Sequence, residues 1–185
     1  VFLSTLMITS IIGLAIQLLS TSTVHANALT PHPPIYIDGN AGFTTPDPVN
    51  GGGSGTAGDP YIIENWVIDA SSADGITILN TTAYFIIRNC LVENGGDSWF
   101  GIYLDNVING KVENNTFDND YLCIYLYYSS HNNLTNNTCE NNGYGIELDY
   151  SDNNLIENNI VGNNIWEGIG LYYSDNNNLT NNTCE

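Results

Sequence analysis

Residues 145–167, GIELDYSDNNLIENNIVGNNIWE, repeat a pattern that the chain has already used twice. Residues 101–122 read GIYLDNVINGKVENNTFDNDYL and residues 123–144 read CIYLYYSSHNNLTNNTCENNGY, and another copy begins at residue 168. These copies start 22, 22 and 23 residues apart, and a looser copy begins at Gly75. A fixed period of this length indicates a solenoid, in which one small unit is stacked repeatedly without a single closed core.

Each copy opens with a strand in which apolar and polar residues alternate. Two columns are apolar in every copy. They are Ile76, Ile102, Ile124, Ile146 and Ile169, and Ile78, Leu104, Leu126, Leu148 and Leu171. The residues between these columns must point to the opposite face, because side chains alternate along a strand. This outward column comprises Thr77, Tyr103, Tyr125, Glu147 and Gly170.

The bends between the strands are rich in Asn and Gly, so each unit contains two or three short strands. Asn tolerates the left-handed backbone conformation and bonds to its own turn, which suits a corner that recurs on every coil. Stacked Asn amides can also bond to one another. Two columns are candidate Asn ladders, and the sequence leaves open which of them points inward. The first column consists of Asn114, Asn136, Asn158 and Asn181. The second consists of Asn115, Asn137, Asn159 and Asn182, and Cys90 takes the place of Asn one coil earlier in this column.

Other solenoids of similar period do not fit this pattern. Helical repeats are excluded because no 3.6-residue period is present and the many Asn, Gly and β-branched residues disfavour helix. The LxxLxLxxN motif of leucine-rich repeats and the glycine-rich calcium nonapeptide are absent. The sequence therefore predicts an all-β parallel β-helix solenoid with about 22 residues per rung and about five to six rungs. Because residue 185 falls in mid-rung, we expect a C-terminally truncated piece of a longer protein.

Composition divides the chain into three segments. Residues 1–26 contain an apolar stretch followed by small residues, and they lack charged side chains apart from His25, which is typical of a secretory signal peptide. We expect a linker and an N-terminal entry or cap segment at 27–60 and the β-helix repeats at 61–185. A membrane anchor is the alternative for the apolar stretch, but Ser, Thr and Gln interrupt it. The signal pattern predicts a secreted or cell-surface protein.

The net charge of −18 limits the partners that the chain can bind. The sequence contains 20 acidic residues and only two basic ones, Arg88 and Lys111. Nucleic acid and anionic membranes are excluded as partners because their phosphates require Lys and Arg. The charge favours cations or neutral partners, and it also fits an acidic extracellular surface.

The four cysteines, Cys90, Cys123, Cys139 and Cys184, show no zinc-site spacing. Cys139 and Cys184 fall in one repeat column but two rungs apart, about 9–10 Å at the spacing of strands. That separation exceeds the Cα distance of a disulfide. We therefore expect Cys139 and Cys184 to be small core residues, and neither bridges nor ligands.

The unit GIxL…N-x-(L/I)-x-N-N-x-(I/V/C)-x-N-N resembles the right-handed parallel β-helix repeat of the NosD-like family. That family groups with carbohydrate-binding proteins and sugar hydrolases of the pectate-lyase-like superfamily. The stretches PIYIDGNAGF at 34–43 and GGSGTAGDPYIIENWVIDASSADGI at 52–76 also resemble the entry segment of archaeal surface β-helix proteins. The resemblance covers roughly residues 34–185 and implies a right-handed coil. It does not specify an activity, because function on a repeat scaffold depends on individual sites.

The resemblance implies that a polysaccharide would lie along the outer face of the first strand. Outward side chains there combine rings, which pack on sugar C–H groups, with carboxylates, which accept hydrogen bonds from hydroxyls. The candidate ligand-binding residues are Tyr103, Asp105, Tyr125, Tyr127, Glu147, Asp149 and Tyr172. The alternative is that Tyr simply suits an exposed strand. We interpret the neighbouring column of Tyr128, Tyr150 and Tyr173 as a structural ladder.

No catalytic residue is assigned from the sequence. A lyase resembling those of this superfamily would need a basic residue opposite calcium-binding acids, and neither Arg88 nor Lys111 has an Asp cluster on its stripe. A glycosidase needs two carboxylates at a fixed separation. Glu147 and Asp149 share one strand face about 7 Å apart, but acidic residues are so frequent here that this spacing carries little weight. We therefore expect binding and not catalysis from this segment.

Candidate metal ligands are few. Copper would need Met, Cys or His, and His32 and His131 stand alone in their regions. Calcium takes oxygen ligands, and the turn residues Asp149, Asp152 and Asp175 are candidates for binding it. Turn formation explains the same residues without an ion. No metal site is assigned, and calcium remains the one cofactor to test.

Together these features predict a secreted or cell-surface β-helix module that recognises a glycan or a surface protein along the Tyr/Asp/Glu stripe. The first alternative is the N-terminal part of a polysaccharide lyase or hydrolase whose catalytic rungs lie beyond residue 185. The second is a copper-maturation accessory protein, which the family resemblance alone suggests. We also expect further C-terminal domains in the same protein.

Overall fold

A computed structural model of the chain describes residues 29–44 and 48–185. The predicted signal peptide at 1–26 lies outside the described residues. Within them, the ordered elements are 19 short strands and one 3₁₀ helix, Asn40–Thr44. No helix in this part of the chain is long and apolar enough to cross a membrane.

The strands follow one another at short intervals, separated by turns and by one longer insertion between β2 and β3. In chain order they are β1 (Thr30–His32), β2 (Ile35–Asp38), β3 (Tyr61–Glu64), β4 (Trp66–Asp69), β5 (Ile76–Thr81), β6 (Phe85–Arg88), β7 (Leu91–Glu93), β8 (Phe100–Val107), β9 (Gly110–Glu113), β10 (Thr116–Asp118), β11 (Leu122–Tyr127), β12 (Asn133–Thr135), β13 (Thr138–Glu140), β14 (Tyr144–Asp149), β15 (Leu155–Glu157), β16 (Ile160–Gly162), β17 (Ile169–Tyr172), β18 (Asn178–Thr180) and β19 (Thr183–Cys184).

Three parallel sheets contain these strands, and each coil adds one strand to each sheet. Sheet I consists of β2, β5, β8, β11, β14 and β17, and sheet II of β3, β6, β9, β12, β15 and β18. Sheet III consists of β1, β4, β7, β10, β13, β16 and β19. The order I, II, III recurs six times from β2 to β19. The predicted all-β parallel β-helix is therefore confirmed.

The interior is filled by the apolar columns that the repeat predicts. Ile124 pairs with Ile102 on one side and with Ile146 on the other, and the Leu104 column is aligned in the same way. Ile102, Ile124, Ile146, Leu104, Leu126 and Leu148 are at most 1 % exposed, as is Phe117 of sheet III, whereas Leu171 is 37 % exposed. Burial of one such side chain contributes roughly 1.5–3 kcal/mol. Because each coil covers the next, stability is a sum over neighbouring coils.

Asn in the left-handed conformation turns the chain at most corners. Among the described residues, 19 non-glycine residues have a positive φ, and 15 of them are Asn. At the corner between sheets II and III, one of the two predicted Asn columns has φ values of 56–57° and exposed side chains. It consists of Asn114, Asn136, Asn158 and Asn181. Asn adopts this conformation routinely, unlike most non-glycine residues, so this outward column makes the turn.

The second Asn column points inward and forms a ladder of hydrogen bonds. Each Oδ1 atom accepts the backbone N–H of its counterpart one coil earlier, at 3.1 Å from Asn115 to Asn137 and 2.9 Å from Asn137 to Asn159. Each Nδ2 group donates to a backbone carbonyl of the earlier coil, as Asn137 does to Val112. The ladder begins at Cys90, whose N–H donates to Asn115 Oδ1. Backbone groups buried at the corner are thereby satisfied.

Further ladders, which the sequence analysis did not identify, serve the other corners. Between sheets I and II, Asn132 Oδ1 accepts the Gly110 N–H at 2.8 Å, and Ser151 Oγ accepts the Ser129 N–H at 2.9 Å. Two columns at this corner, buried except for their half-buried last members, follow the same rule. They are Asn132, Asn154 and Asn177, and Ser129, Ser151 and Ser174. Inward Asn and Ser are therefore a general device of this solenoid.

Asp120 occupies a ladder position that Asn fills in the following coils. Its Oδ1 accepts the Gly95 N–H at 2.9 Å, and its own N–H donates to Asn142 Oδ1 at 2.9 Å. The Oδ2 atom is buried and has no hydrogen-bond partner in the described part of the chain. Burial raises the pKa of Asp120 to about 7, and the charges of Asp118 and Glu93 add to the shift, although the Gly95 hydrogen bond opposes it.

The first coil begins within the segment 27–60, which is predicted to be a linker and entry cap. β1 pairs with β4 in sheet III, and β2 pairs with β5 in sheet I. The insertion between β2 and β3 includes the 3₁₀ helix, in which Phe43 is buried. The Phe43 ring stacks on Tyr61 with centroids 4.9 Å apart and also contacts Phe85. Phe43 thereby joins this insertion to the core.

The expectation that Cys139 is an unbridged core residue is wrong. Cys139 in β13 forms a disulfide with Cys123 in β11, and their Cα atoms are 5.7 Å apart. Both cysteines belong to one coil, whereas the sequence argument considered only Cys184, two coils away in the same column. Both are fully buried, so the bridge also fills the core. Cys90 and Cys184 are free, and Cys184 is exposed, so the expectation that it is a core residue is also wrong.

Asn137→Gly and Asn136→Gly should separate the two Asn columns. Asn137→Gly removes the acceptor of the Asn115 N–H and the donor to Val112, so we expect a loss of about 3 kcal/mol in the free energy of unfolding. Asn136→Gly keeps a backbone that tolerates φ of 56°, so its loss should be about 1 kcal/mol or less. Urea unfolding measures both. Equal losses would contradict the assignment of the columns.

Asp120→Asn should stabilise the protein at high pH and not at low pH. The folded-state pKa lies above the ordinary carboxyl value, so stability is fully present below about pH 4 and is lost as the pH rises to about 7. The amide removes this loss and supplies the donor that Asn142 supplies one coil later. Thermal unfolding at pH 5 and pH 8.5 measures the effect. A gain in Tm that is the same at both pH values would contradict it.

Candidate functional site

The predicted ligand-binding residues lie together on the outer face of sheet I, in two adjacent columns. In the first, Tyr125 pairs with Tyr103 and with Glu147. The second column runs through Asp105, Tyr127, Asp149 and Tyr172. Tyr172 is exposed and the other six are half-buried. These seven residues are named the outer stripe.

The rings of the stripe pack on one another. Tyr103 and Tyr125 are stacked, with centroids 5.5 Å apart and 14° between the ring planes. Phe100 contacts both rings at 5.4 and 5.5 Å. The Tyr103 hydroxyl donates to Asp105 Oδ2 at 3.1 Å. Burial, followed by the charge of Asp105, raises the pKa of Tyr103 well above its ordinary value, so this hydroxyl stays protonated at neutral pH.

The corner between sheets III and I adds aromatic side chains beside the stripe. The rings of Tyr144 and Trp166 are 4.7 Å apart. Tyr121 packs edge-on against both, at 5.6 Å from Tyr144 and 6.2 Å from Trp166. Trp166 is nevertheless 54 % exposed. This corner therefore forms an aromatic wall along one side of the stripe.

A groove of about 390 Å³ lies between the stripe and this wall. The carboxylates of Glu147, from sheet I, and Glu167, from the corner, line it. The Tyr172 hydroxyl donates to Glu167 Oε2 at 2.7 Å, and this hydrogen bond is the main reason why the pKa of Tyr172 is raised to about 12. The rings that line this downstream groove are Phe100, Tyr121, Tyr125, Tyr144 and Tyr172.

An upstream groove of about 500 Å³ lies at the other end of the stripe. Its lining includes Tyr36, Asp74, Leu79, Trp99 and Asp105. Tyr103 lines this groove and Tyr125 lines the downstream groove, so their stacked rings stand between the two. The outer face of sheet I therefore presents an aromatic track with a concavity at each end.

No basic side chain offsets the acidic groups of this face. The chain has only two basic residues, and both lie in sheet II. Arg88 forms an ion pair with Glu64 at 2.7 Å, and Lys111 forms one with Glu113 at 2.6 Å. A ligand on the outer face of sheet I therefore meets carboxylates, hydroxyls and rings, but no Lys or Arg.

The carboxylates of the stripe are partly desolvated and repel one another. Burial, followed by the charges of Glu167 and Asp149, raises the pKa of Glu147. Burial, followed by the charges of Asp149 and Glu147, raises the pKa of Tyr125 to about 12. The Oδ1 atom of Asp149 is buried and has no hydrogen-bond partner among the described residues. The carboxylates of the stripe therefore carry negative charge that the described side chains leave uncompensated.

A second aromatic feature follows the stripe at the corner to sheet II. Tyr128, Tyr150 and Tyr173 have φ values of 47–50°, and their rings are stacked 4.9 Å apart. All three are exposed. Asn80 and Asn106 adopt the same conformation at this corner in the two earlier coils. A left-handed backbone costs a bulky residue roughly 1–2 kcal/mol, which the stacking offsets in this Tyr ladder.

The calcium candidates take part in hydrogen bonds of a turn. Asp152 Oδ1 accepts the backbone N–H of Asp175 at 2.6 Å, and the Asp152 N–H donates to Ser130 Oγ. Asp149 lies on the outer stripe. Within residues 29–44 and 48–185, no three His, Cys, Asp or Glu side chains are grouped so that they could hold a metal ion.

Glu167 and Trp99, which line the two grooves, and Trp166, which packs on Tyr144 beside the downstream groove, were not among the predicted site residues. The repeat itself held a signal for them, because its irregular units mark where the corners are enlarged. The unit at 145–167 is one residue longer than the two units directly before it and contains Glu167 and Trp166, and the unit at 75–100 has 26 residues and contains Trp99. Extra residues in a regular coil therefore indicate which corner is enlarged beside sheet I.

Comparison with protein families identifies the repeat. A family model described as a right handed beta helix region matches residues 23–184. This chain belongs to the right-handed β-helix family. The match extends over the described coils and supplies the hand of the solenoid, which agrees with the predicted fold. No curated protein and no solved structure matches this chain.

Membership of this family establishes a scaffold. A right-handed β-helix is a rigid stack on which neighbouring coils fix the spacing of outward side chains. The β-helix described here is therefore a structural or binding module, and its specificity depends on the outward residues that differ from coil to coil. On the outer face of sheet I, such differences run from Thr77 to Tyr103 to Glu147.

Tyr150→Asn should leave the stability of the β-helix almost unchanged, whereas Tyr150→Ala should not. The Asn variant loses two stacked contacts but gains a residue suited to φ of 50°, so we expect a change within about 1 kcal/mol. The Ala variant loses the stacking without this relief and should lose about 2 kcal/mol. Urea unfolding distinguishes them. An equal loss in both variants would refute the offset between backbone and stacking.

Proposed function

We propose that this β-helix is a carbohydrate-binding module of a secreted or cell-surface protein and that a polysaccharide lies along the outer stripe of sheet I. The observation that carries the proposal is the aromatic track formed by Phe100, Tyr103 and Tyr125, which has a groove at each end. Exposed ring faces and edges bind the C–H surfaces of sugars, and half-buried carboxylates accept hydrogen bonds from their hydroxyls.

The repeat of the scaffold suits a repeating ligand. Successive coils place equivalent side chains about 4.8 Å apart, and this rise is close to the length of one pyranose unit in an extended chain. The Tyr103 and Tyr125 centroids, at 5.5 Å, keep this spacing. A linear polysaccharide aligned with the solenoid axis can therefore meet similar groups at each sugar.

Two sequence features support the location and the ligand class. The apolar stretch at 1–26 has the pattern of a signal peptide, and export would place the module where polysaccharides occur. The repeat also resembles the NosD-like family, which groups with carbohydrate-binding proteins and sugar hydrolases of the pectate-lyase-like superfamily, and the stretches 34–43 and 52–76 resemble the entry segment of archaeal surface β-helix proteins. The module would then serve a longer protein as its contact with a glycan.

Glycoside hydrolysis is a second candidate, and one observation favours it. Glu147 and Glu167 line the same groove, and the raised pKa of Glu147 is a property of a general acid. Release of reducing ends from a bound polysaccharide, and its loss in Glu147→Gln, would support hydrolysis. Binding without any release would leave the module as a binding protein.

The double variant Tyr103→Thr/Tyr125→Thr tests the proposed function. Thr77 occupies the same column in an earlier coil, so Thr should preserve the fold while the two stacked rings are lost. We expect the wild-type protein to be retained on at least one of insoluble cellulose, chitin, mannan and xylan, and the variant to lose about tenfold or more in affinity.

Tyr84→Thr provides the control, because Tyr84 is an exposed ring outside sheet I. Retention of this control together with loss of the double variant would support the stripe as the binding face. Equal retention of all three proteins on the same polysaccharide would refute it. Far-ultraviolet circular dichroism and urea unfolding establish that each variant is folded.

A further inference from the structure

The side chains that line the downstream groove restrict the class of ligand that it can bind. It combines five aromatic rings with the carboxylates of Glu147 and Glu167, and its volume of about 390 Å³ suits one or two sugar rings. The chain supplies no cation to it, since Arg88 and Lys111 are ion-paired in sheet II. A binding site with this composition has charge complementarity to a cation.

The geometry points to a protonated amino sugar as the occupant: we propose that the downstream groove binds a glycan that carries free amino groups, such as an oligomer of glucosamine. The proposal rests on the proposed function and names the ligand class of the same face. The ammonium group would lie among Glu147, Glu167 and the surrounding rings. The sugar body would pack on Tyr125 and Tyr144, two of the rings that line the groove.

Three observations favour a cation over a neutral or acidic sugar. Tyr172 occupies only one side of Glu167 with its hydrogen bond, at Oε2. Burial raises the pKa of Glu147, and repulsion by the charges of Glu167 and Asp149 adds to the shift. Asp149 Oδ1, in the adjoining column, has no hydrogen-bond partner within the described residues. An ammonium ion relieves the repulsion, whereas a uronate would add to it.

The rings strengthen the same preference. A cation over a Tyr face is attracted to the ring quadrupole, and the attraction grows when the site is desolvated. Tyr125, Tyr144 and Tyr172 belong to three successive strands of sheet I and line the groove together with the two carboxylates. Acetylation of the sugar amino group removes its positive charge. The acetylated and free sugars therefore differ in the charge that the groove is expected to recognise.

Isothermal titration calorimetry with short oligosaccharides of matched length tests the inference. The probes are glucosamine tetramer, N-acetylglucosamine tetramer and galacturonate tetramer, at pH 6 and at two salt concentrations. We expect the glucosamine tetramer to bind about tenfold or more tightly than its acetylated form, and the galacturonate tetramer to show no binding. Raised salt should weaken the glucosamine complex.

Glu147→Gln/Glu167→Gln should abolish the preference for the free amine while the fold is retained. Glu140→Gln/Glu157→Gln is the matched control, because it changes the net charge equally on sheets III and II. If the control loses as much affinity as the groove variant, the attraction is general and the inference is overturned. Retained preference in the groove variant would also overturn it.

The outcomes separate this inference from the proposed function. Equal binding of the free and acetylated tetramers, with a loss in Tyr103→Thr/Tyr125→Thr, would overturn the amino-sugar inference and leave carbohydrate binding in place. Binding to polysaccharides of the insoluble panel without binding to any tetramer would likewise overturn the amino-sugar inference and leave carbohydrate binding in place. Absence of binding to every tetramer and every polysaccharide would overturn both.

Discussion

The structure depends on how the buried backbone N–H groups of its corners are satisfied. A solenoid must turn three times in each coil, and at each turn the strand hydrogen bonds are interrupted. Here an inward Asn, Ser or Asp of the next coil accepts the N–H, as Asn137 does for Asn115 and Asn142 does for Asp120. The bond exists only when the next coil is in register, so one interaction fixes the turn, the stacking and the period.

Because this interaction holds the coils in register, the outward side chains of the sheets are not needed for that purpose. With the corners and the Ile/Leu columns defining the coil, the outward residues of sheet I vary from Thr77 to Tyr103 to Glu147 without disturbing the register. Enlarged corners then add Trp99 and Trp166 beside that face. The candidate site therefore consists of residues that differ from coil to coil. The residues that repeat in successive coils are explained by folding alone.

Periodicity predicted the coil, its core columns and the members of the outer stripe, because each of these repeats along the chain. It did not distinguish Asn136 from Asn137, because both columns are Asn in each coil from residue 114 onward and the backbone conformation separates them. It missed the Cys123–Cys139 bridge because repeat columns relate residues along the axis, whereas this bridge crosses one coil. Glu167 lay in an irregular corner, where no column could place it.

The disulfide has a consequence for how the solenoid transmits tension. Coils of a solenoid are held by their neighbours and can be pulled away one at a time. Cys123 and Cys139 are 16 residues apart, so the bridge withholds roughly 50 Å of chain from extension until it is reduced. A pull that reaches β13 passes directly to β11, across the solenoid and into sheet I. Force applied through the downstream coils would thus bypass residues 124–138, which include Tyr125 and Tyr127 of the outer stripe.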